Sequence, residues 1–94
     1  MNNIHYREYK AKLLENPEFR SAYDDLELPY RIIRELVRLR IDSNITQDEL
    51  AERTGIPKSN ISRFENGKHI PSLQMIERIA AGLGMKLEWS LKRE

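Results

Sequence analysis

The sequence predicts a mainly α fold that ends in one short β-strand, and three observations predict it. Apolar residues recur at three- and four-residue spacing through most of the 94 residues, the period of a helix with one buried face. These runs are bracketed by residues that start helices (Asn16-Pro17, Pro29, Thr46, Pro57, Ser72) and by glycines that stop them (Gly55, Gly67, Gly84). From Met85 the period drops to two, with Met85, Leu87, Trp89 and Leu91 alternating with Lys86, Glu88, Ser90 and Lys92.

Taken in order, a first helix is expected over Asn3 to Glu15, where Ile4, Tyr6, Tyr9, Leu13 and Leu14 are set among charges. Asn16 closes it and, as N-cap with Pro17 at the first position, opens a short second helix in which Phe19, Ala22, Tyr23 and Leu26 keep helical spacing. After Pro29, the residues Ile32, Ile33, Leu36, Val37 and Ile41 make a longer amphipathic helix interleaved with Arg31, Arg34, Arg38 and Arg40. Thr46 and Glu49 are spaced as a capping box, with Ile45 and Leu50 placed as a hydrophobic staple. The helix they start runs to about Thr54, with Leu50 and Thr54 facing inward and Ala51 small enough to admit another helix backbone. Gly55 turns the chain in a left-handed conformation. Pro57 suits the first position of the next helix, Ile61 and Phe64 form its inner side, and Gly67 stops it. Lys68 to Pro71 is a loop. Ser72 then caps a helix carrying Leu73, Ile76, Ile79, Ala80 and Leu83, which ends at Gly84. The alternating tail reads as a strand whose edges need a strand from outside the chain, its own copy or another protein; the alternative is a last amphipathic helix.

The two short helices between Thr46 and Gly67 form a helix-turn-helix, whose second helix can lie in the DNA major groove. With Ile61 and Phe64 inward, Lys58, Ser59, Asn60 and Arg63 project outward near its start, and all four can hydrogen-bond bases or phosphates. The pattern TQDELAERTG followed by ISRFENG closely resembles the lambda-repressor-like, or XRE-type, DNA-binding domains, matching their motif at Gln47, Leu50, Ala51, Gly55, Ile61, Ser62, Glu65 and Gly67. The resemblance implies a helix-turn-helix bundle over residues 28–84, with phosphate contacts from Gln47, Asn66 and Lys68 and base reading from Lys58, Ser59, Asn60 and Arg63. It also implies a structural ion pair of Glu65 with Arg40, which stands seven residues before Gln47 as the family pattern requires. One small module makes too few contacts to select a site in a genome, whereas a two-fold dimer reads two half-sites roughly 34 Å apart. A homodimer is therefore expected, with Leu87, Trp89 and Leu91 of residues 85–94 at its interface.

Composition narrows the remaining classes. A charged fraction of 33% against 39% hydrophobic describes a soluble globular chain with one modest core. Sixteen basic and fifteen acidic residues leave a net charge of +1, so affinity for DNA must come from local charge and not from a general polycation. Without cysteine there are no disulfides and no thiolate metal sites. No apolar run reaches the length of a membrane span, and MNNIHYREYK lacks a signal peptide's hydrophobic stretch, so no membrane association is expected and the expected location is the cytoplasm. His5 and His69 have no second histidine and carboxylate at ligand spacing, which argues against a metal site. Ser59 and Ser62 lack a nucleophile elbow and a base, and there is no glycine-rich phosphate loop. Neither an enzyme nor a cofactor is expected.

Residues 1–27 precede the first supporting helix of this bundle. They either fold back to enlarge the core or present Tyr6, Tyr9, Leu13, Phe19, Arg20, Tyr23 and Leu26 to another protein, aromatics and arginine being favoured at interface cores. The run LLENPEFRSAYDDLELPYRIIRELVRLRIDSNITQDELAERTG resembles HigA-type antitoxins, in which a leader of the form Leu, Asx-Pro-Glu-Phe-Arg, Tyr precedes a carboxy-terminal XRE domain. That resemblance implies an antitoxin that binds and neutralises a small basic RelE/HigB-like toxin, a messenger-RNA endonuclease, through the leader. It further implies repression of the antitoxin's own operon by binding operator DNA. Glu8, Glu15, Glu18, Asp24, Asp25 and Glu27 outnumber Arg7, Lys10, Lys12 and Arg20, which suits a basic nuclease. The alternative is a free-standing XRE-family transcriptional repressor whose leader only completes the fold; another is an adaptor whose helix pair packs on protein.

Overall fold

The computed structural model describes residues 3–93, with the side chains of Glu8 and of residues 10–93. Six helices follow one another among the described residues: α1 (Asn3–Glu15), α2 (Pro17–Asp24), α3 (Leu28–Asp42), α4 (Gln47–Thr54), α5 (Lys58–Glu65) and α6 (Leu73–Gly82). Helix α4 packs on α5 and α6, α3 packs on the same two helices, and the leader reaches this body through α2 on α3, with α1 on α2.

The helix boundaries follow from local chemistry. The Asn16 side chain accepts from the amides of Glu18 and Phe19, and the Ser72 hydroxyl accepts from Met75. At α4 both halves of the capping box are present: the Glu49 amide donates to Thr46 Oγ1 at 3.0 Å, and the Glu49 carboxylate accepts from the Thr46 amide. Gly55 at φ 73° and Gly67 at φ 65° end α4 and α5 in left-handed geometry that a side chain would strain. Pro57 stands one residue outside α5, as its N-cap with ψ 141°, instead of at the first helical position. Its carbonyl accepts from Asn60 and Ile61 while its extended ψ keeps it out of the helix.

The core is a single cluster made by α3 to α6 and the α4–α5 turn: Ile33, Leu36, Leu39, Leu50, Ile56, Ile61, Phe64, Ile76, Ile79, Ala80 and Leu83. Leu50, Ile61 and Ile79 are fully buried, each contributing about 1.5–3 kcal/mol. The close approach of α4 and α6 depends on Gly82. A β-carbon there would stand 2.5 Å from Thr54 Cγ2 and 2.9 Å from Leu50 Cδ1. The sequence reading assigned that role to Ala51, which is half-buried against the core. The C-terminal ends of α4 and α6 lie side by side, and each is met by an arginine of the other helix: Arg53 Nη1 donates to the Gly82 carbonyl and Arg78 Nη2 to that of Thr54. Cations suit the negative ends of two helix dipoles.

One expectation is corrected. Among the described residues there is no β-strand: residues 85–93 leave regular structure altogether. The reason is physical, since a strand exists only when its backbone is paired, and no other described segment offers an edge. The alternation survives at its start, where Met85 and Leu87 pack against the core and Lys86 and Glu88 are exposed; beyond it Trp89 is 72% and Leu91 90% exposed. Leu87, read as an interface residue, is thus partly spent inside its own chain. Ile41, read as inward, is also exposed, because it falls on the outer side of the last turn of α3.

The leader folds back on α3, the first of the two alternatives left open for it. Phe19 and Tyr23, read as partner contacts, are buried, with their rings stacked at a centroid separation of 5.8 Å. The Tyr23 hydroxyl donates to Glu35 Oε2 at 2.9 Å, and Lys10 Nζ lies 3.7 Å from Oε1 of the same carboxylate, which is itself buried on α3. Lys10 and Arg31 both stand over the Tyr23 ring, and Arg31 also donates to the carbonyls of Asp24 and Leu26. Burial alone would lower the Lys10 ammonium, but the Glu35 carboxylate and the Tyr23 side chain together outweigh it and hold the group above its ordinary value. Burial pushes the Tyr23 hydroxyl up, and the negative charge of Glu35 adds to this. A carboxylate taken out of water needs partners, and Tyr23 and Lys10 of the leader are among them, which fixes α1 and α2 against α3.

Candidate nucleic-acid interface

The α4–turn–α5 unit is held by a polar cluster at one end and by the apolar core beneath. Arg40 on α3 forms a two-pronged ion pair with Glu65 on α5, Nε to Oε2 at 2.6 Å and Nη2 to Oε1 at 2.9 Å. Its remaining Nη1 donates to the Ile45 carbonyl at 2.7 Å, just ahead of α4. The side-chain amide of Gln47, the first residue of α4, donates through Nε2 to Glu65 Oε1 at 2.9 Å. One carboxylate therefore ties together three helices and the loop before α4. With 13% and 10% side-chain exposure for Arg40 and Glu65, the pair is largely desolvated and well satisfied. It also places the negative charge of Glu65 in a neutralised pair and not opposite a DNA phosphate.

On the outer side of α5, Lys58, Ser59, Asn60 and Arg63 are all exposed, while Ile61 and Phe64 of the same helix are in the core. Lys58 and Asp48 form a salt bridge at 3.2 Å with both side chains more than half exposed, a pair worth little in water and readily exchanged for a phosphate. Asn66 and Lys68 are exposed on the segment that follows α5. Gln47 is half-buried, and its bond to Glu65 uses one of its two side-chain amide hydrogens. The structure thus brings Lys58, Ser59, Asn60 and Arg63 onto one helix face, with Asn66 and Lys68 at that helix's far end. Gln47 joins the group through the Arg40–Glu65 cluster, a link that neither local spacing nor composition signals. What this arrangement can do chemically is present hydrogen-bond donors and positive charge on a short, rigidly seated helix.

Of the leader residues read as partner contacts, Arg20 is exposed, Leu13 and Leu26 are half-buried, and the side chains of Tyr6 and Tyr9 lie outside the described residues. Arg20 pairs with Asp24 at 3.6 Å across one helical turn. The sequence reading missed Glu35, whose burial could have been suspected from its place between Ile33 and Leu36 on the inner side of α3. Among the described residues no helix is long and apolar enough to cross a membrane, and no group of acidic or histidine side chains is placed to hold a metal ion.

The family model described as helix-turn-helix matches residues 36–90. Antitoxin HigA1 of Mycobacterium tuberculosis is 30% identical over 77 residues, covering 82% of this chain and 52% of that protein. Antitoxin HicB of Escherichia coli K12 is 32% identical over 79 residues, 81% of this chain and 57% of the relative. An uncharacterized HTH-type transcriptional regulator of Methanothermobacter thermautotrophicus is 43% identical over 53 residues, 55% of this chain and 77% of that protein. The chain spans about half the length of the antitoxins it matches. No solved structure matches it significantly.

Proposed function

The chain belongs to the helix-turn-helix family of DNA-binding regulators, and from that premise we propose that it is an antitoxin that neutralises a small basic RelE/HigB-like endonuclease toxin and represses its own operon. One observation carries the antitoxin reading. In a chain of 94 residues, an alignment covering 77 of them reaches back at least to residue 18, so the likeness to HigA1 takes in most of α2 as well as the DNA-binding bundle. The match to the archaeal regulator extends over only 53 residues. The leader is therefore part of what the chain shares with an antitoxin.

In this reading Lys58, Ser59, Asn60 and Arg63 read operator bases, and Gln47, Asn66 and Lys68 hold phosphates on either side. Leu13, Arg20 and Leu26, with Tyr6 and Tyr9, form the leader's contact with the toxin, while Phe19 and Tyr23 act behind them as packing. Trp89 and Leu91 supply the free apolar surface through which two copies pair, giving the two-fold symmetry that reading two half-sites needs. The runner-up, a free-standing repressor, is supported by the way Tyr23, Lys10 and Glu35 use the leader as scaffold.

The test is to use the full chain as bait in its native cells, beside a variant carrying Leu13→Ala, Arg20→Ala and Leu26→Ala. A small basic nuclease retained by the first and lost by the second, with DNA binding equal in both, supports the antitoxin. No such protein on either bait, with DNA binding intact, leaves the plain repressor.

A further inference from the structure

Where the C-terminal ends of α4 and α6 meet, the surface forms an open depression of about 440 Å³, lined by Arg53, Thr54, Arg78, Ala81 and Gly82. None of these residues belongs to the outer face of α5 or to the leader, so the roles proposed above leave them unused. Both arginines are exposed, and each is held by one hydrogen bond: Arg53 Nη1 to the Gly82 carbonyl at 3.3 Å, and Arg78 Nη2 to the Thr54 carbonyl at 2.8 Å. Neither forms an ion pair with a carboxylate among the described residues, and no carboxylate lines the depression. Each guanidinium therefore keeps most of its N–H fork free. The Thr54 hydroxyl is already engaged, donating to the Leu50 carbonyl and accepting from the Ile56 amide. The walls are low, since Ala81 and Gly82 are small and Gly55 carries no side chain where a β-carbon would stand 3.7 Å from Arg78 Nη2. Charge decides what such a depression can hold. Two helix C-termini bring about half a negative charge each against two full positive charges, which leaves about one positive charge over. Capping the helix ends thus does not use up the arginines, and their forks match the oxygens of a carboxylate or a phosphate.

We infer that Arg53 and Arg78 form a binding site for a compact oxyanion of the phosphate or carboxylate class, taken free from solution. The ligand's oxygens accept from both guanidiniums at once. A bound anion therefore links α4 to α6 and favours the folded state over the unfolded one. The site sits at one end of α4 and Gln47 at the other, so the ligand braces the helix pair without touching the residues assigned to DNA.

The experiment titrates the full chain with sodium phosphate and, separately, with sodium acetate at constant ionic strength, following backbone amide and arginine Nε–H signals by two-dimensional NMR. At least one of the two anions is expected to bind saturably in the millimolar range, with shifts centred on Arg53, Thr54, Gly55, Arg78, Ala81 and Gly82. The tighter of the two assigns the ligand's class. Arg53→Gln and Arg78→Gln should each weaken that binding about 10-fold or more, the effect of a lost charge-assisted hydrogen bond. Arg34→Gln, at an exposed arginine on α3, should leave it unchanged. Arg78→Lys keeps the charge and should still bind several-fold more weakly, because an ammonium is a point charge without the fork. Each variant's own spectrum shows whether it is folded, and the wild-type titration stands without any of them. No saturable shift in the wild type with either anion overturns the proposal. So do shifts spread evenly over the basic surface, or an affinity that Arg53→Gln and Arg78→Gln leave unchanged, since both mean charge screening without a site.

Discussion

The Arg40–Glu65 pair allows a sharp test of how the recognition helix is seated. Replacing Glu65 by methionine removes both contacts to Arg40 and the acceptor of Gln47, and leaves a guanidinium held only by the Ile45 carbonyl. Replacing Arg40 by methionine leaves the carboxylate with the Gln47 amide alone and strips the Ile45 carbonyl of its donor. Each change strands a charge at a site about nine-tenths out of water, so each is expected to cost about 3–5 kcal/mol. The double variant strands no charge. Its cost is the unmet hydrogen bonds of Gln47 and Ile45, about 1–2 kcal/mol in all. Urea unfolding followed by circular dichroism, with the slope unchanged between variants, reads these differences directly. The double variant should be more stable than either single one by roughly 2 kcal/mol. Equal losses in all three, or a double loss that equals the sum of the singles, would refute the claim that the pair is desolvated and mutually dependent.

Further outcomes are expected elsewhere in the chain. Gly82→Ala should destabilise by about 1–3 kcal/mol in the same assay, although alanine is the better helix former by about 1 kcal/mol, because the new methyl meets Thr54 and Leu50. Thr46→Ala removes the capping box and should cost about 1 kcal/mol. Tyr23→Phe takes a donor from buried Glu35. It should loosen the leader toward protease, at a cost of about 1–3 kcal/mol, while leaving affinity for DNA unchanged. Lys10 and Tyr23 both hold their protons above the ordinary values of 10.5 and 10.0. Their contribution is therefore complete below about pH 10 and is lost as pH rises through the raised values. Unfolding midpoints at about pH 9 and about pH 11 should show the fall in the wild type and a smaller one in a variant carrying both Lys10→Met and Tyr23→Phe.

What was legible in the sequence is what acts over three or four residues. Asn16, Thr46 with Glu49, and Ser72 cap helices by reaching amides within their own first turn, and Gly55, Gly67 and Gly84 take positive φ where helices end. The exposed face of α5 was legible for the same reason, since Ile61 and Phe64 fix which way its other residues point. What could not be read depends on partners distant in the chain. Tyr23 and Glu35 are 12 residues apart and Gln47 and Glu65 are 18 apart, so no local pattern announces either contact. Phe19 and Tyr23 have the composition of an interface, and composition does not say whether the surface that covers an aromatic ring belongs to another protein or to α3. The tail failed in a different way: its alternation is a true strand pattern, but a pattern supplies only one of the two edges a strand requires.

The separation of Phe19 and Tyr23 from the main core has a consequence for how the molecule opens. They are buried, yet they are not members of the cluster formed by α3 to α6 and the α4–α5 turn. A region joined to the rest by its own small contact set opens as a cooperative unit of its own, at a lower free energy than the global transition. Amide protons of α2 should therefore exchange with solvent long before those of α4 and α6, in a process insensitive to changes at Leu50 or Ile79. Helix α5 would keep its shape throughout such an opening. Two segments that unfold on separate clocks can also be altered separately, so the exposed surface of the leader can drift without disturbing the helix-turn-helix.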